Sequence, residues 1–176
     1  MLIGVLSDTH DNVVLAKRAV HLLLDLGATL IFHLGDIVSP FTLLAMASEA
    51  SGRAAIRAVF GNNCGDKTQL RRVAESLGVE IEEPPREVVV NGRRILLLHG
   101  WGSPSDTRRI VYALARGGEW DAILYGHTHE VDYRYIQGVL VLNPGEASGV
   151  LHGKPTVALL DTETLKARIL EVQLHG

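Results

Sequence analysis

Two short stretches place paired polar donors at a useful spacing: Asp8-Thr9-His10 and His127-Thr128-His129. Each follows an apolar run, Leu2 to Leu6 in the first case and Ala122 to Tyr125 in the second. Asp36, Asn62 and His99 stand just after three further apolar runs, ending at Leu34, Phe60 and Leu98. Aspartate, asparagine and imidazole form an oxygen and nitrogen set without thiolate, suited to manganese, iron, zinc or nickel rather than to a soft metal. Seven donors are too many for one ion that must keep a place for water. They suffice for two ions sharing a carboxylate, and a pair about 3.5–4 Å apart clamps both the attacking and the leaving oxygen of a phosphoryl group. Asp36 is the natural shared ligand, because a carboxylate can face both ions. Along extended chain, a spacing of two would turn both donors of each stretch the same way.

The elements that must carry these residues follow from hydrophobic period. After the strand-like run Leu2–Leu6, the residues Val13, Leu15, Ala16, Ala19, Val20, Leu23 and Leu24 fit one helical face, closed by Gly27. Thr29–Leu34 followed by Pro40–Ala50, and Ala54–Phe60 followed by Lys67–Gly78, repeat the strand, loop, helix order. Three such units predict a parallel sheet with helices on its faces. Beyond them, Asn91-Gly92 sits between two apolar runs and predicts a tight hairpin. A helix around Ser105 to Arg116, the strand Asp121–Tyr125, and short strands near 131–136, 139–142, 156–161 and 167–172 complete the pattern. The late strands suggest a second, mixed or antiparallel sheet. In open α/β sheets ligands bind at the carboxyl ends of strands, so the seven donors would converge on one crevice.

Composition narrows the function further. The chain has 176 residues, 47% of them hydrophobic, which predicts one domain spanning residues 1–176. Its net charge of -3 gives no basic field for gathering nucleic acid, so no stable nucleic-acid binding is expected. One cysteine, Cys64, excludes an internal disulfide and points to a reducing compartment. The N-terminus lacks the pattern of a signal peptide and no apolar run reaches membrane-spanning length, so a cytoplasmic location without membrane contact is expected.

In order, Asp8-Thr9-His10, Gly35-Asp36, Gly61-Asn62, His99-Gly100 and Gly126-His127-Thr128-His129 resemble the five sequence blocks of the calcineurin-like metallophosphoesterases. The resemblance spans nearly the whole chain. Its size and the stretch Leu142–Gly149 are similar to the small, uncapped bacterial and archaeal phosphodiesterases of that family. The resemblance implies a four-layer α-β-β-α sandwich of two mixed sheets flanked by helices. It implies two divalent metal ions, manganese foremost with nickel, iron or zinc also suitable. Asp8, His10 and His129 would hold the first ion, Asn62, His99 and His127 the second, and Asp36 both. A metal-activated hydroxide would attack a small phosphodiester in line, with Asp36, Asn62 and His99 at the catalytic centre. A homodimer or homotetramer would fit the relatives. A phosphomonoesterase or cyclic-nucleotide hydrolase is the alternative within the enzyme class. A metal-binding scaffold of the Vps29 type is the alternative outside it, although all seven ligand positions here carry competent residues.

Two residues depart from the family pattern. Asn63 stands where many larger members carry a histidine taken to protonate the leaving group, and asparagine cannot act as an acid; Cys64 or Asp66 would then lie near the leaving group. Trp101 follows His99-Gly100 where relatives often have histidine, which predicts an aromatic wall for an aryl or nucleoside group. Asn63 and Trp101 are therefore expected to contact substrate. The arginine that follows the aspartate block in protein phosphatases is missing from the stretch Gly35–Pro40, and the expectation is a chain without an appended cap or DNA-binding region, acting on a small phosphoester.

Each residue also has a plainer role open to it. Asp8 and Asp36 could cap helices, Asn62 could serve a left-handed turn, and His99 could be a satisfied core histidine. The His127 and His129 pair is harder to explain that way, since four ring nitrogens at a strand end need partners. His21 and His175 read as surface or packing residues. His33 and His152 are candidates to lie close behind or over the crevice. Arg71, Arg72 and Arg109 read as solvated helix faces, Arg108 as a candidate anion contact, and Asn143–Glu146 as a turn that the resemblance places beside the metals.

Overall fold

The computed structural model describes residues 1–173; His175 lies outside them. Among the described residues, four helices and eleven strands follow one another, first β1 (Leu2–Leu6), α1 (Val13–Asp25), β2 (Leu30–His33), α2 (Pro40–Ala50), β3 (Ala55–Val59), α3 (Lys67–Leu77), β4 (Glu80–Glu82), β5 (Arg86–Val90) and β6 (Arg93–Leu97). Then come α4 (Pro104–Gly117), β7 (Ala122–Leu124), β8 (Val131–Ile136), β9 (Val139–Pro144), β10 (Thr156–Asp161) and β11 (Lys166–Glu171). One sheet has the order β11-β10-β1-β2-β3-β4 and the other β5-β6-β7-β9-β8.

Strand alternation explains why the sheets stack. In β2, Leu30 and Phe32 join a cluster with Val88, Leu97 and Leu140 of the opposite sheet, while Ile31 faces the helices with Leu23 and Leu43. Fully burying one such side chain stabilises the fold by roughly 1.5–3 kcal/mol. A third cluster, with Leu98, Val111, Ala115 and Val141, packs α4 on the outer face of the second sheet. The layers are thus helices α1–α3, sheet, sheet, helix α4, as expected from the sequence, and both sheets are mixed.

One expectation needs correction. The late strands do not all build the second sheet: β10 pairs antiparallel with β1, and β11 with β10, so both extend the first sheet. Periodicity reports which face of a strand is buried but not which neighbour it pairs with. The hairpin does form at Asn91 (φ 51°) and Gly92 (φ 76°), both left-handed as its turn requires. No helix among the described residues is long and apolar enough to cross a membrane.

Candidate metal centre

Parallel pairing aligns the ends that matter. β1, β2 and β3 run parallel in one sheet and β6, β7 and β9 in the other, so their carboxyl ends meet at one edge of the sandwich. The loops there are stitched together by Asp8 N–H to the Gly35 carbonyl (3.0 Å), His10 N–H to the Asp36 carbonyl (3.0 Å) and Gly126 N–H to the His99 carbonyl (3.0 Å). All seven donors named from the sequence are at this edge.

The backbone there is not the extended chain expected from the spacing of two. Asp8 (φ 55°), His10 (φ 41°), Asp36 (φ 59°), His127 (φ 69°) and His129 (φ 59°) are all left-handed. Each such residue costs of order 1–3 kcal/mol and persists because surrounding contacts hold it. The alternation survives in another form, since Thr9 and Thr128 turn away from the donors. The buried Thr9 hydroxyl donates to the Asp36 carbonyl (3.2 Å), and the Thr128 hydroxyl accepts from Asn143 Nδ2 (3.1 Å). Space is equally tight: a Cβ on Gly61 would lie 2.1 Å from Asp36 Oδ1.

Hydrogen bonds assign the imidazole tautomers. His99 Nδ1–H donates to the Leu34 carbonyl (2.7 Å), His127 Nε2–H to the Gly102 carbonyl (2.8 Å) and His129 Nδ1–H to the Glu146 carboxylate (2.8 Å). Each ring therefore turns its bare nitrogen inward. His99 Nε2 and His127 Nδ1 each lie 2.9 Å from Asn62 Oδ1, itself an acceptor. His129 Nε2 faces His10 Nε2 at 3.2 Å and Asp8 Oδ1 at 3.5 Å. Asp8 Oδ1 is buried and has no hydrogen-bond partner, whereas Oδ2 accepts from His127 N–H (3.0 Å). Acceptors crowded together without protons repel one another, and a divalent cation removes that conflict. The donor set fits such an ion.

Asp36 occupies the middle. Its Oδ1 lies 3.4 Å from His99 Nε2 and its Oδ2 3.5 Å from His10 Nε2, so one carboxylate spans both imidazole groups. Asn63 holds it there, through its backbone N–H to Oδ1 (2.7 Å) and its amide Nδ2 to Oδ2 (2.9 Å). Candidate donor atoms of Asp8, His10 and His129 lie within 4.8 Å of one another, as do those of Asp8, Asp36 and His99.

Charge sets the proton affinities. Burial works to raise the Asp36 carboxyl, but the His99 and Asn63 contacts outweigh it and hold the group below the usual range. The Asp8 carboxylate and then Asp36 hold His10 above its ordinary value, against the effect of burial. His99 is also raised: burial opposes its charge, and the contact with Asp36 and the charge of Asp8 overcome it. His33 behaves oppositely, because complete burial pushes it down to about 4. Neutral His33 accepts from Gly35 N–H at Nδ1 (3.2 Å) and donates from Nε2 to the Thr9 hydroxyl (3.1 Å). It lies close behind the crevice and fixes the backbone of Asp36 through Thr9.

Other residues fall where the sequence left alternatives open. Asp8 and Asp36 are not caps; Asn12 caps α1 and Ser39 precedes α2. Asn62 is not left-handed. Asp66 caps α3 by accepting from Gln69 N–H (2.9 Å), and buried Cys64 accepts from Gly61 N–H (3.3 Å). Asn63 directs its amide at Asp36, and Trp101 is exposed. Arg108 pairs with Glu130, Arg71 with Glu83, Arg109 with Asp106, and His21 with Asp25 and Glu49; Arg72 is exposed. The His152 side chain is exposed, and it is the backbone N–H that reaches Glu146 (2.6 Å). The roles of Thr9 and Asp11 carried no sequence signal beyond their places beside donors. Asp11 accepts from the Ser39 and Thr42 hydroxyls and ties the first loop to α2. Two grooves of about 470 and 500 Å³ run along α1, and none of the seven donors lines either.

Two carboxylates, an amide and four imidazoles thus gather at the joined strand ends of two stacked sheets, with two groups of candidate metal-ligand atoms among them. Residues 1–165 match the calcineurin-like phosphoesterase superfamily domain, and the chain belongs to that superfamily of phosphoesterases. It is 32% identical over 169 residues to Phosphodiesterase MJ0936 of Methanocaldococcus jannaschii, covering 96% of this chain and 97% of that protein. The solved structure of an archaeal phosphodiesterase aligns with a TM-score of 0.87 at 31% identity, over 97% of this chain and 99% of that one. Vps29 of Entamoeba histolytica, solved with Zn2+, shares the fold at a TM-score of 0.66 and 18% identity, over 98% and 100%.

Proposed function

We propose that this protein is a phosphodiesterase that hydrolyses small phosphodiesters at a centre of two divalent ions. Asp8, His10 and His129 would hold one ion, Asn62, His99 and His127 the other, and Asp36 would serve both. The observation that carries this reading is Asp36, whose two oxygens face different imidazole groups at 3.4 and 3.5 Å. The similarity to an archaeal phosphodiesterase supports diesters over monoesters.

When bound, divalent cations supply Lewis-acid charge and lower the pKa of water toward neutrality. The chain's own residues do the rest. Leu34, Gly102 and Glu146 orient His99, His127 and His129 with their lone pairs inward, and such outer hydrogen bonds fix both tautomer and direction. Asn63 keeps both Asp36 oxygens aimed at the centre. No side chain is needed as nucleophile, since water serves.

The test pairs metal analysis with an assay. Protein loaded with manganese should contain two ions per chain and hydrolyse bis-p-nitrophenyl phosphate, and Asp36→Asn should lose at least one ion and fall roughly 100-fold or more, as for loss of a key electrostatic group. Equal rates in the two proteins would remove the enzymatic reading.

A further inference from the structure

The two imidazoles of His127-Thr128-His129 bond through their outer nitrogens to different loops. His127 Nε2–H binds the carbonyl of Gly102, the neighbour of Trp101. His129 Nδ1–H binds Glu146, whose carboxylate also accepts the N–H groups of Leu151 (3.0 and 3.1 Å) and His152 (2.6 Å). Each half of the centre is thereby tied to its own loop.

Both loops present apolar side chains to water from fixed backbone. Trp101 is 40% exposed, although its N–H and carbonyl are both held by the buried Thr107 hydroxyl (2.9 and 2.7 Å). Val150 and Leu151 are each 66% exposed, although the loop that carries them is anchored on buried Glu146. Large apolar groups held open on ordered backbone are ready to cover a ligand, because little entropy is lost when they do. A phosphodiester has two organic arms leaving phosphorus in different directions, and the two halves of the centre are each bonded to a different loop that carries exposed apolar side chains.

We propose that these loops form two apolar subsites, Trp101 on one side and Val150 with Leu151 on the other, each receiving one arm of the diester. The preferred substrates then carry an aromatic or other apolar group on both ester oxygens. This rests on the phosphodiesterase reading above.

Equilibrium binding separates the two ideas. Diphenylphosphinate, methylphenylphosphinate and dimethylphosphinate carry the same anionic centre with two, one and no aryl arms, and their P–C bonds resist hydrolysis. Titration calorimetry on manganese-loaded protein should show affinity rising about tenfold per aryl arm, the order expected for burying a ring against an apolar wall. Trp101→Ala should remove one of the two increments and the Val150→Ser, Leu151→Ser double variant the other, with melting temperatures unchanged because all three side chains are exposed. Equal affinity for all three phosphinates, with bis-p-nitrophenyl phosphate still hydrolysed, overturns the subsites alone. Unchanged aryl increments in both variants do the same. Failure to bind any phosphinate together with failure to hydrolyse the diester overturns both readings.

Discussion

His33 shows how a residue outside the donor set shapes the centre. It is fully buried and neutral, and its two ring nitrogens link Gly35 N–H to Thr9 and so to the Asp36 backbone. Its type and position placed it near the crevice from sequence, as they placed the seven donors. The link through Thr9 was not readable, because it depends on the loop after β1 meeting the last residue of β2, 24 residues on, at hydrogen-bond distance. A stability prediction follows from its charge. The folded state lowers His33 to about 4 from 6.5, so above pH 6.5 neither state binds the proton and the group has no effect. Between pH 6.5 and 4 the unfolded chain binds a proton that the folded chain refuses, and stability falls as pH falls. At about 1.4 kcal/mol per pH unit, the loss reaches roughly 3 kcal/mol by pH 4. Denaturant titrations of the metal-free protein at pH 7 and pH 5 should therefore show a smaller acid loss in His33→Gln than in the parent. Identical pH slopes would show that His33 does not carry the effect.

At the level of elements, helices and long strands were readable because apolar period marks them directly. β4 was not, since Glu80-Ile81-Glu82 offers one apolar residue in three, and the sheet membership of β10 and β11 was not, since pairing is non-local. The left-handed turns after β1, β2 and β7 also escaped, because aspartate and histidine tolerate extended chain just as well. What forces those turns is crowding between loops, and Gly61 is where it is tightest. The loop after β3 passes so close to the loop after β2 that a Cβ there would meet the Asp36 backbone nitrogen at 2.4 Å as well as Oδ1 at 2.1 Å. Backbone cannot yield as a flexible side chain does. Gly61→Ala should therefore cost about 1–3 kcal/mol through overpacking and displace Asp36, so that metal content falls along with stability. A variant that kept full metal occupancy would show the loops to be softer than the contact distances imply.

Across the whole molecule, two sheets bring the same acceptors together from opposite sides. The cluster between the sheets contains Phe32 and Leu34 from one and Leu97, Leu124 and Leu142 from the other, so packing sets the separation of the strand ends. That packing holds two carboxylates and four imidazoles against their mutual repulsion, five of the six on left-handed residues. A cation that binds only the folded state reverses the cost, stabilising by about 2.7 kcal/mol at a free concentration 100 times its dissociation constant. For a chain of 176 residues, that corresponds to a rise in melting temperature of roughly 5–10 °C. Protons compete for the same lone pairs, and His10 and His99 are both held above their ordinary values, so the gain should shrink as the solution is made acidic. Thermal melts at pH 8 and pH 6, each with manganese and with chelator, measure all of this at once. The manganese increment should be large at pH 8, smaller at pH 6, and reduced at both in Asp36→Asn. A melting temperature indifferent to manganese at pH 8 would mean that the inward-facing lone pairs do not gather around a cation, and the chemistry assigned to this edge of the sandwich would fail with it.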